Sequence, residues 1–571
     1  MSTNKTLQVA VAVALGTATT AAMAFNVGTT TPQYKVVMSG ATASTNTVRE
    51  FIIEDICDST QAIDVYRSWD NVNNKFNKDW GVACHTKSTL DTSHSIAAHD
   101  VLFMKRDAGG SGFGVNPVLN DYAPTHSTGI DIMEFSDGAG KNCDPGVNPT
   151  TPKTTAAPNA TAYTQHKCSG GLVTANWIPD GGFSDVEPDK FFGLNAPAGS
   201  YSDGHALGNY NASFSADVRA TAGLVFGIPV TLNLRNALQA VQFPASSVCH
   251  PLNASYGANA ETLDCMPSLS GTEIRSVFVG GLHTWDDYYV DDPLGGAAKV
   301  SLASAVSGMG LSSLVPTDHK VQICRRVAGS GTQAQFQMVF LNRPCEANAA
   351  NPLTEPGLIF TGPVVANNSS SGDVEKCLDD FNDGTNTSGK NAVTTKRWGI
   401  GLQSLEKNVG LSHAYRFIKV NGYAPTLQAV HAGDYEDYVE SSMQWRTSGE
   451  FYNTKPGTTP NLATDVPSNA SIKADTVTIL DFIASSAVSP SVLATINGSY
   501  IHTFGESGWL AIPKPGVSPT NPFSSSNPVN TSTRAPLGSA PNSCQFPVAI
   551  KPVKVDTNVP VSSSEPAGNV M

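Results

Sequence analysis

The chain has 571 residues, with 35 Lys and Arg against 48 Asp and Glu, a formal net charge of −13. At about 150 residues per domain this length leaves room for about four domains. Charged residues are 15% of the chain, with 50 Gly and 36 Pro, and 40% is hydrophobic. So few charges, of this sign, exclude a coiled coil and a polybasic nucleic-acid binder, while the apolar fraction is enough for buried cores.

In chain order, Lys5 precedes an apolar run from Leu7 to Leu15 and then small residues ending Ala22-Met23-Ala24. A positive start, a short apolar stretch and an A-x-A ending predict a secretory signal over 1–24, cleaved before Phe25. No Cys follows the cleavage point, so no lipid anchor is expected, and no later stretch is apolar for long enough to form a membrane helix. The expected location is periplasmic or secreted. Ten cysteines (Cys57, Cys84, Cys143, Cys168, Cys249, Cys265, Cys324, Cys345, Cys377, Cys544) suit an exported, disulfide-bonded chain. None lies in C-x-x-C, which argues against haem attachment and zinc ribbons. Pairing by proximity gives Cys57–Cys84, Cys143–Cys168, Cys249–Cys265 and Cys345–Cys377, leaving Cys324 and Cys544. The second pair would close a Thr/Pro/Ala/Asn loop with no core-forming pattern.

Tyr34 to Met38 reads as a strand and Ser39-Gly40 as a turn. A helix follows from Thr45, with Val48, Phe51, Ile52 and Ile56 on one face and Ser44 or Thr45 as N-cap. Val101–Met104 and Leu224–Leu232 read as buried strands, and residues 272–278 as a helix with Ile274, Val277 and Phe278 on one side. Val321–Arg325 is a strand, from which Gly329-Ser330-Gly331 turns into a helix with Phe336, Val339 and Phe340 inward. Strands alternating with helices predict an α/β protein with largely parallel sheets. From about Pro513 the chain becomes Pro/Ser/Asn-rich, an extended wrap or a flexible linker fixed at most through Cys544.

Three Gly/Ser/Thr clusters stand at strand-to-helix junctions: Gly40 to Thr45, Gly110-Ser111-Gly112, and Arg326 to Thr332. Such junctions suit anions, because free N–H groups at a helix start point at the ligand and small residues let the backbone approach. The order of these clusters resembles the PstS-type phosphate-binding proteins, the substrate-capturing components of phosphate ABC transporters. Gly40-Ala41-Thr42 resembles that family's GAT segment, Gly110-Ser111-Gly112 its SSGG segment, and Gly182 to Asp185 its GASD. Ile228-Pro229-Val230 with Asn233 resembles its hinge strand. Leu269 to Asp287, with Phe278, Gly280, Trp285, Asp286 and Asp287, resembles its tryptophan segment. Arg325 to Thr332 resembles the phosphate loop R-R-x-D-G-S-G-T, and Lys419 to Thr426 the late K-x-N-G-x-x-P-T.

The resemblance implies a two-lobed periplasmic-binding-protein fold of type II, enlarged by disulfide-held insertions. Its parts would be lobe 1 over 25–227, lobe 2 over 228–424, a return to lobe 1 over 425–512, and a tail over 513–571. Inorganic phosphate would lie in the interlobe cleft, against Thr42, Ala43, Ser111 and Asp185 from one lobe and Arg326, Ser330, Gly331 and Thr332 from the other. Arg326 would supply a charge-assisted pair. Asp185 would accept a proton that phosphate carries and sulfate lacks, unless it is a turn cap; Arg326 could instead pair with surface acids. The implied protein is a monomer that delivers its ligand to an ABC permease, with no catalytic residue, metal or cofactor. Two departures stand out: Ala328 replaces the family's Asp, and Ala43 its aromatic residue. Lys105-Arg106-Asp107 is expected to be an exposed pairing. The competing readings are a secreted or surface-associated structural or scavenging protein that reuses the fold, and an exported phosphatase or esterase using Ser111 or Ser330. The second lacks a G-x-S-x-G around either serine.

Overall fold

The structure is a computed structural model. It describes residues 27, 32–72, 75–90, 97–107, 109–119, 130–136, 142–146, 161–170, 173–177, 179–191, 193–195, 216–408, 410–446, 470–488, 509–511, 532–534 and 542–549. The signal segment 1–24, the Thr/Pro-rich loop after Gly146 and most of the tail lie outside these residues.

Tyr34–Gly40 is a strand, buried at six of its seven positions, lying parallel to Asp100–Arg106 on one side and to Gly181–Ser184 on the other. Near-continuous burial suits the run Val36-Val37-Met38, since a parallel strand is covered on both faces. From this centre a sheet extends in both directions. In order, its strands are Val364–Asn368, Asp318–Arg326, Arg397–Gly401, Ala216–Thr231, Tyr438–Arg446, Gly181–Ser184, Tyr34–Gly40, Asp100–Arg106, Lys75–His85, Ile63–Asp70 and Thr164–Cys168.

Ala216–Thr231 organises this sheet. Over Ala216–Val225 it pairs with Tyr438–Arg446, and over Ile228–Thr231 with Tyr415–Val420. One 16-residue strand therefore belongs to two groups of strands, and the chain returns from the second group to the first at Tyr438. Pro229 is tolerated inside it, opposite Phe417, within a run that is otherwise apolar and buried. The architecture is α/β in two strand groups, with one hydrophobic core cluster continuous from Tyr34 to Ala487. That continuity replaces the four domains that length alone suggests.

The sheet is mixed, where the sequence pattern predicts mostly parallel pairing. Ile63–Asp70, Lys75–His85 and Asp100–Arg106 pair antiparallel in succession. Short connections can join antiparallel strands but not parallel ones, and the link from Asp70 to Lys75 is such a connection. A second, smaller core of Val37, Tyr66, Ala83, Leu102 and Met104 lies on one face of this group, closed by Cys143–Cys168.

Local elements follow the pattern closely. The helix from Thr45 is α-helical to Phe51 and a π-helical turn over Ile52–Ile56, with Val48, Phe51, Ile52 and Ile56 buried. Ser44 gives its hydroxyl to the Ala41 carbonyl and does not cap the helix through its side chain. Ser39-Gly40 is strand, not turn. Gly40 has φ +108°, and the Phe183 carbonyl occupies the place of a Cβ. The Gly271–Phe278 helix buries Ile274, Val277 and Phe278 and begins with a Ser270–Glu273 capping box. Gly331–Leu341 buries Phe336 and Phe340, with Val339 partly buried.

Three disulfides join sequence neighbours: Cys57–Cys84, Cys143–Cys168 and Cys249–Cys265. Cys345–Cys377 does not form. Cys377, on the Ser371–Asp383 helix, bonds Cys324 on the strand beneath it, and Cys345 bonds Cys544 in the tail. A helix lying on a strand puts its inward residues within disulfide reach (Cα–Cα 6.0 Å) whatever their separation in sequence. The tail is held by more than Cys544. Arg534 donates to the Tyr438 and Glu436 carbonyls, its N–H bonds the Glu440 carboxylate, and the Ser543 hydroxyl donates to Glu187. No helix among the described residues is long and apolar enough to cross a membrane.

Candidate functional site

Parallel strands put their carboxyl ends at one edge, where the following loops meet. Tyr34–Gly40 leads there to Thr42 and Ala43, Asp100–Arg106 to Ser111, Gly181–Ser184 to Asp185, and Asp318–Arg326 to Ser330, Gly331 and Thr332. The two glycine turns, one from each strand group, pack backbone on backbone. The Gly112 N–H donates to the Gly329 carbonyl at 2.8 Å, and the Gly329 N–H to the Asn195 carbonyl at 2.7 Å. A Cβ on Gly331 would collide with the Ser111 hydroxyl and the Asp185 carboxylate. Here glycine is needed for close approach rather than for φ. The Asp185 N–H in turn donates to Ser111 Oγ at 3.0 Å.

Ser111, Asp185, Ser330, Gly331 and Thr332 are thus brought together and buried. They do not border the large cavity beside them. That cavity, of about 670 Å³, is bordered by Thr42, Ala43 and Arg326 from the expected set. Its walls also carry Arg67, Lys78, Lys376 and Lys407 against Asp107, Asp373, Glu375 and Glu406, so charge of both signs faces it.

Arg326 ends its strand with 4% of its surface exposed, which overturns pairing with surface acids. Its Nη1 donates to Ser371 Oγ at 2.9 Å and its Nη2 to the Ser369 carbonyl at 3.0 Å. These groups hold the guanidinium where Ala328 offers no carboxylate. Burial pulls the Arg326 pKa down to about 10, opposed by the charges of Asp185, Asp373 and Glu406, so the group stays cationic at neutral pH. Burial pushes the Asp185 carboxyl up to about 6, and Glu406 adds to this; the Ser111 hydrogen bond, Arg326 and Lys105 pull the other way. Among the described residues, Asp185 Oδ1 and Arg326 Nε have no hydrogen-bond partner. Two buried polar atoms without partners, an acceptor and a donor, mark this junction as chemically incomplete.

Lys105 and Asp107 are not an exposed pair. Lys105 is fully buried, donates to the Ala41 carbonyl at 2.9 Å and pairs with the Asp107 carboxylate. Asp107 also accepts from Trp80 Nε1 at 3.0 Å, and its carbonyl accepts the Thr42 hydroxyl at 3.1 Å. The Thr42 hydroxyl is therefore already used within the turn.

Sequence reasoning missed Ser369, Ser370 and Ser371. Ser370 caps the Ser371–Asp383 helix by accepting from the Asp373 N–H. Burial pushes the Asp373 carboxyl up, but hydrogen bonds from Ser370 and Ser369 and the charges of Lys376 and Lys78 outweigh it, holding it below the usual range. A serine run before a helix with Val374, Cys377, Leu378 and Phe381 inward is an N-cap signature that was legible in the chain. Among the described residues no group of three or more His, Cys, Asp or Glu is placed to hold a metal ion.

No family model matches the chain, and no curated protein does. Among solved structures, a putative phosphate ABC transporter substrate-binding protein with bound phosphate from Clostridium perfringens aligns at 11% identity, over 80% of this chain and 96% of its own, with TM-score 0.31. PstS from Borrelia burgdorferi aligns at 11% identity over 72% of this chain and 87% of its own, with TM-score 0.27. An ABC-type phosphate transport receptor from Vibrio cholerae aligns at 12% identity over 48% and 70%, with TM-score 0.23. These superpositions are too loose to carry an argument about the site, which stands on its own residues.

Proposed function

We propose that this chain is an exported solute-binding protein that captures inorganic phosphate between two lobes, 25–227 with 425–512 and 228–424, for delivery to an ABC-type permease. The observation that carries the reading is the pair of unpartnered buried atoms at the lobe junction, Asp185 Oδ1 and Arg326 Nε. A protonated phosphate supplies what both need, a proton for the carboxylate and an oxygen for the guanidinium. Sulfate supplies only the oxygen, and a buried carboxylate left facing it disfavours it. Ser111, Ser330, Gly331 and Thr332 reach the ligand when the glycine turns part, and Thr42 and Ala43 border its way in from the cavity. Five disulfides fit an oxidising compartment and thus export.

The protein binds rather than hydrolyses in this reading. The feature that favours an enzyme is His413 in the cavity wall, whose Nδ1 lies 2.7 Å from Asp379. That hydrogen bond raises the His413 pKa, which suits an ion pair better than a general base. Calorimetric titration of the mature protein with phosphate and then sulfate tests the proposal. Phosphate should bind and sulfate should bind far more weakly; no heat with phosphate at micromolar protein refutes it. Release of phosphate from a chromogenic ester would establish the enzyme reading instead.

A further inference from the structure

Arg326 borders a second cavity on its other flank. This one measures about 140 Å³ and is walled by Arg325, Gln333 and Gln337, with Pro352, Leu353 and Glu355 opposite. Arg325 precedes Arg326 on the strand, so the two side chains leave opposite faces of the sheet. Gln333 and Gln337 are four apart on the Gly331–Leu341 helix and share one face.

The wall is buried and unsatisfied. Arg325, Gln333 and Gln337 are 6%, 3% and 2% exposed. Among the described residues, Arg325 Nη1, Gln333 Oε1 and Gln337 Oε1 have no hydrogen-bond partner. Three unpartnered polar atoms around one small space are far from the usual pairing of buried groups. Arg325 is also held in place, since its Nε donates to Asn367 Oδ1 at 2.8 Å. Glu355 does not cancel it at contact: its carboxylate takes the Asn367 N–H at 3.1 Å and Lys390 Nζ at 3.2 Å. With Lys390 already paired to Glu355, the Arg325 charge leaves the space net positive.

We propose that this flank cavity is a second binding site, for a small oxyanion of the carboxylate or phosphate type. Arg325 Nη1 donates to it, and the two carboxamides, which present either oxygen or N–H₂ by a half-turn, complete its hydrogen bonds. The volume corresponds to about five waters at ~30 Å³ each, which admits a two-carbon carboxylate or one phosphate and nothing much larger. One negative charge neutralises the excess. The proposal is separable from the phosphate reading: Arg326 borders both spaces, but its guanidinium is held by Ser371 and Ser369 in the wall of the larger cavity, and Asp185 does not border this one.

The test is calorimetry on the full mature chain in chloride-free and carboxylate-free buffer, with acetate and inorganic phosphate as probes. The variants are Arg325→Met, Gln337→Glu and Asp185→Asn. Acetate should bind the unaltered protein and lose at least tenfold in affinity in both Arg325→Met and Gln337→Glu. Gln337→Glu is nearly isosteric and places a carboxylate beside Arg325, so an unchanged thermal melt in that variant separates lost binding from lost folding. Acetate binding should be the same in Asp185→Asn. If phosphate is the natural occupant, its isotherm shows a second component that Arg325→Met removes and Asp185→Asn spares. The proposal is overturned if neither probe shows a component that responds to Arg325→Met. A phosphate-over-sulfate preference indifferent to Asp185→Asn would refute the cleft reading alone.

Discussion

Two buried cations stand at corresponding places in the two strand groups. Lys105 lies near the end of Asp100–Arg106 and Arg326 at the end of Asp318–Arg326, and a glycine turn and a helix follow each. Lys105 has its needs met inside the protein, by the Ala41 carbonyl and Asp107. Arg326 does not: the residue two places on is Ala328 rather than an acid, and its Nε has no partner among the described residues. A buried charge at a strand end is thus no evidence of a ligand by itself. The distinction lies in whether neighbouring side chains already complete it.

The largest effect should come from breaking the complete pair. Lys105→Met leaves Asp107 buried without its cation and should cost about 3–5 kcal/mol of stability in chemical denaturation. Arg326→Met should cost much less stability but lower phosphate affinity at least a hundredfold by calorimetry, about 3 kcal/mol for a charge-assisted interaction. If both variants lose stability alike and phosphate binding is unmoved in the second, the two cations are equivalent struts.

Asp185→Asn should leave phosphate binding within about tenfold while collapsing the preference over sulfate, because an amide can donate where the carboxylate could only accept. The pH dependence should be gentler. Burial raises Asp180 to about 7, Asp185 to about 6 and Asp437 to about 7. The folded state therefore binds more protons than the unfolded chain between about pH 4 and 7, and stability falls as pH rises through that window. Melting at pH 5 should occur above melting at pH 8. The reverse order would mean that these carboxyls stay ionised in the folded protein, their hydrogen bonds outweighing burial. The same protonation of Asp185 should narrow the phosphate-over-sulfate preference at pH 5.

Much of the local structure was legible in the chain because it depends on near neighbours. The Thr45 helix face, the Gly271–Phe278 helix, the strand before Arg325 and three disulfides between neighbouring cysteines all follow from spacing and proximity. The meeting of Ser111, Asp185 and Gly331 was implied by the family resemblance and not by any local pattern. Illegible were features that depend on packing between distant segments. Cys324–Cys377 needs a helix laid on a strand, and the burial of Lys105 needs Ala41 and Asp107 folded around it. The cavity walls from Lys78 and Ser369–Ser371 joined the site only because the two strand groups share Ala216–Thr231.

The sequence by itself determined the element types, the glycine turns at the strand ends and the residue types gathered there, since hydrophobic period and backbone freedom act over a few residues. Only the tertiary structure decided which buried charges are satisfied and which are not. A hydrogen bond is a matter of a few tenths of an ångström between segments separated by tens to hundreds of residues, and no local pattern encodes that distance.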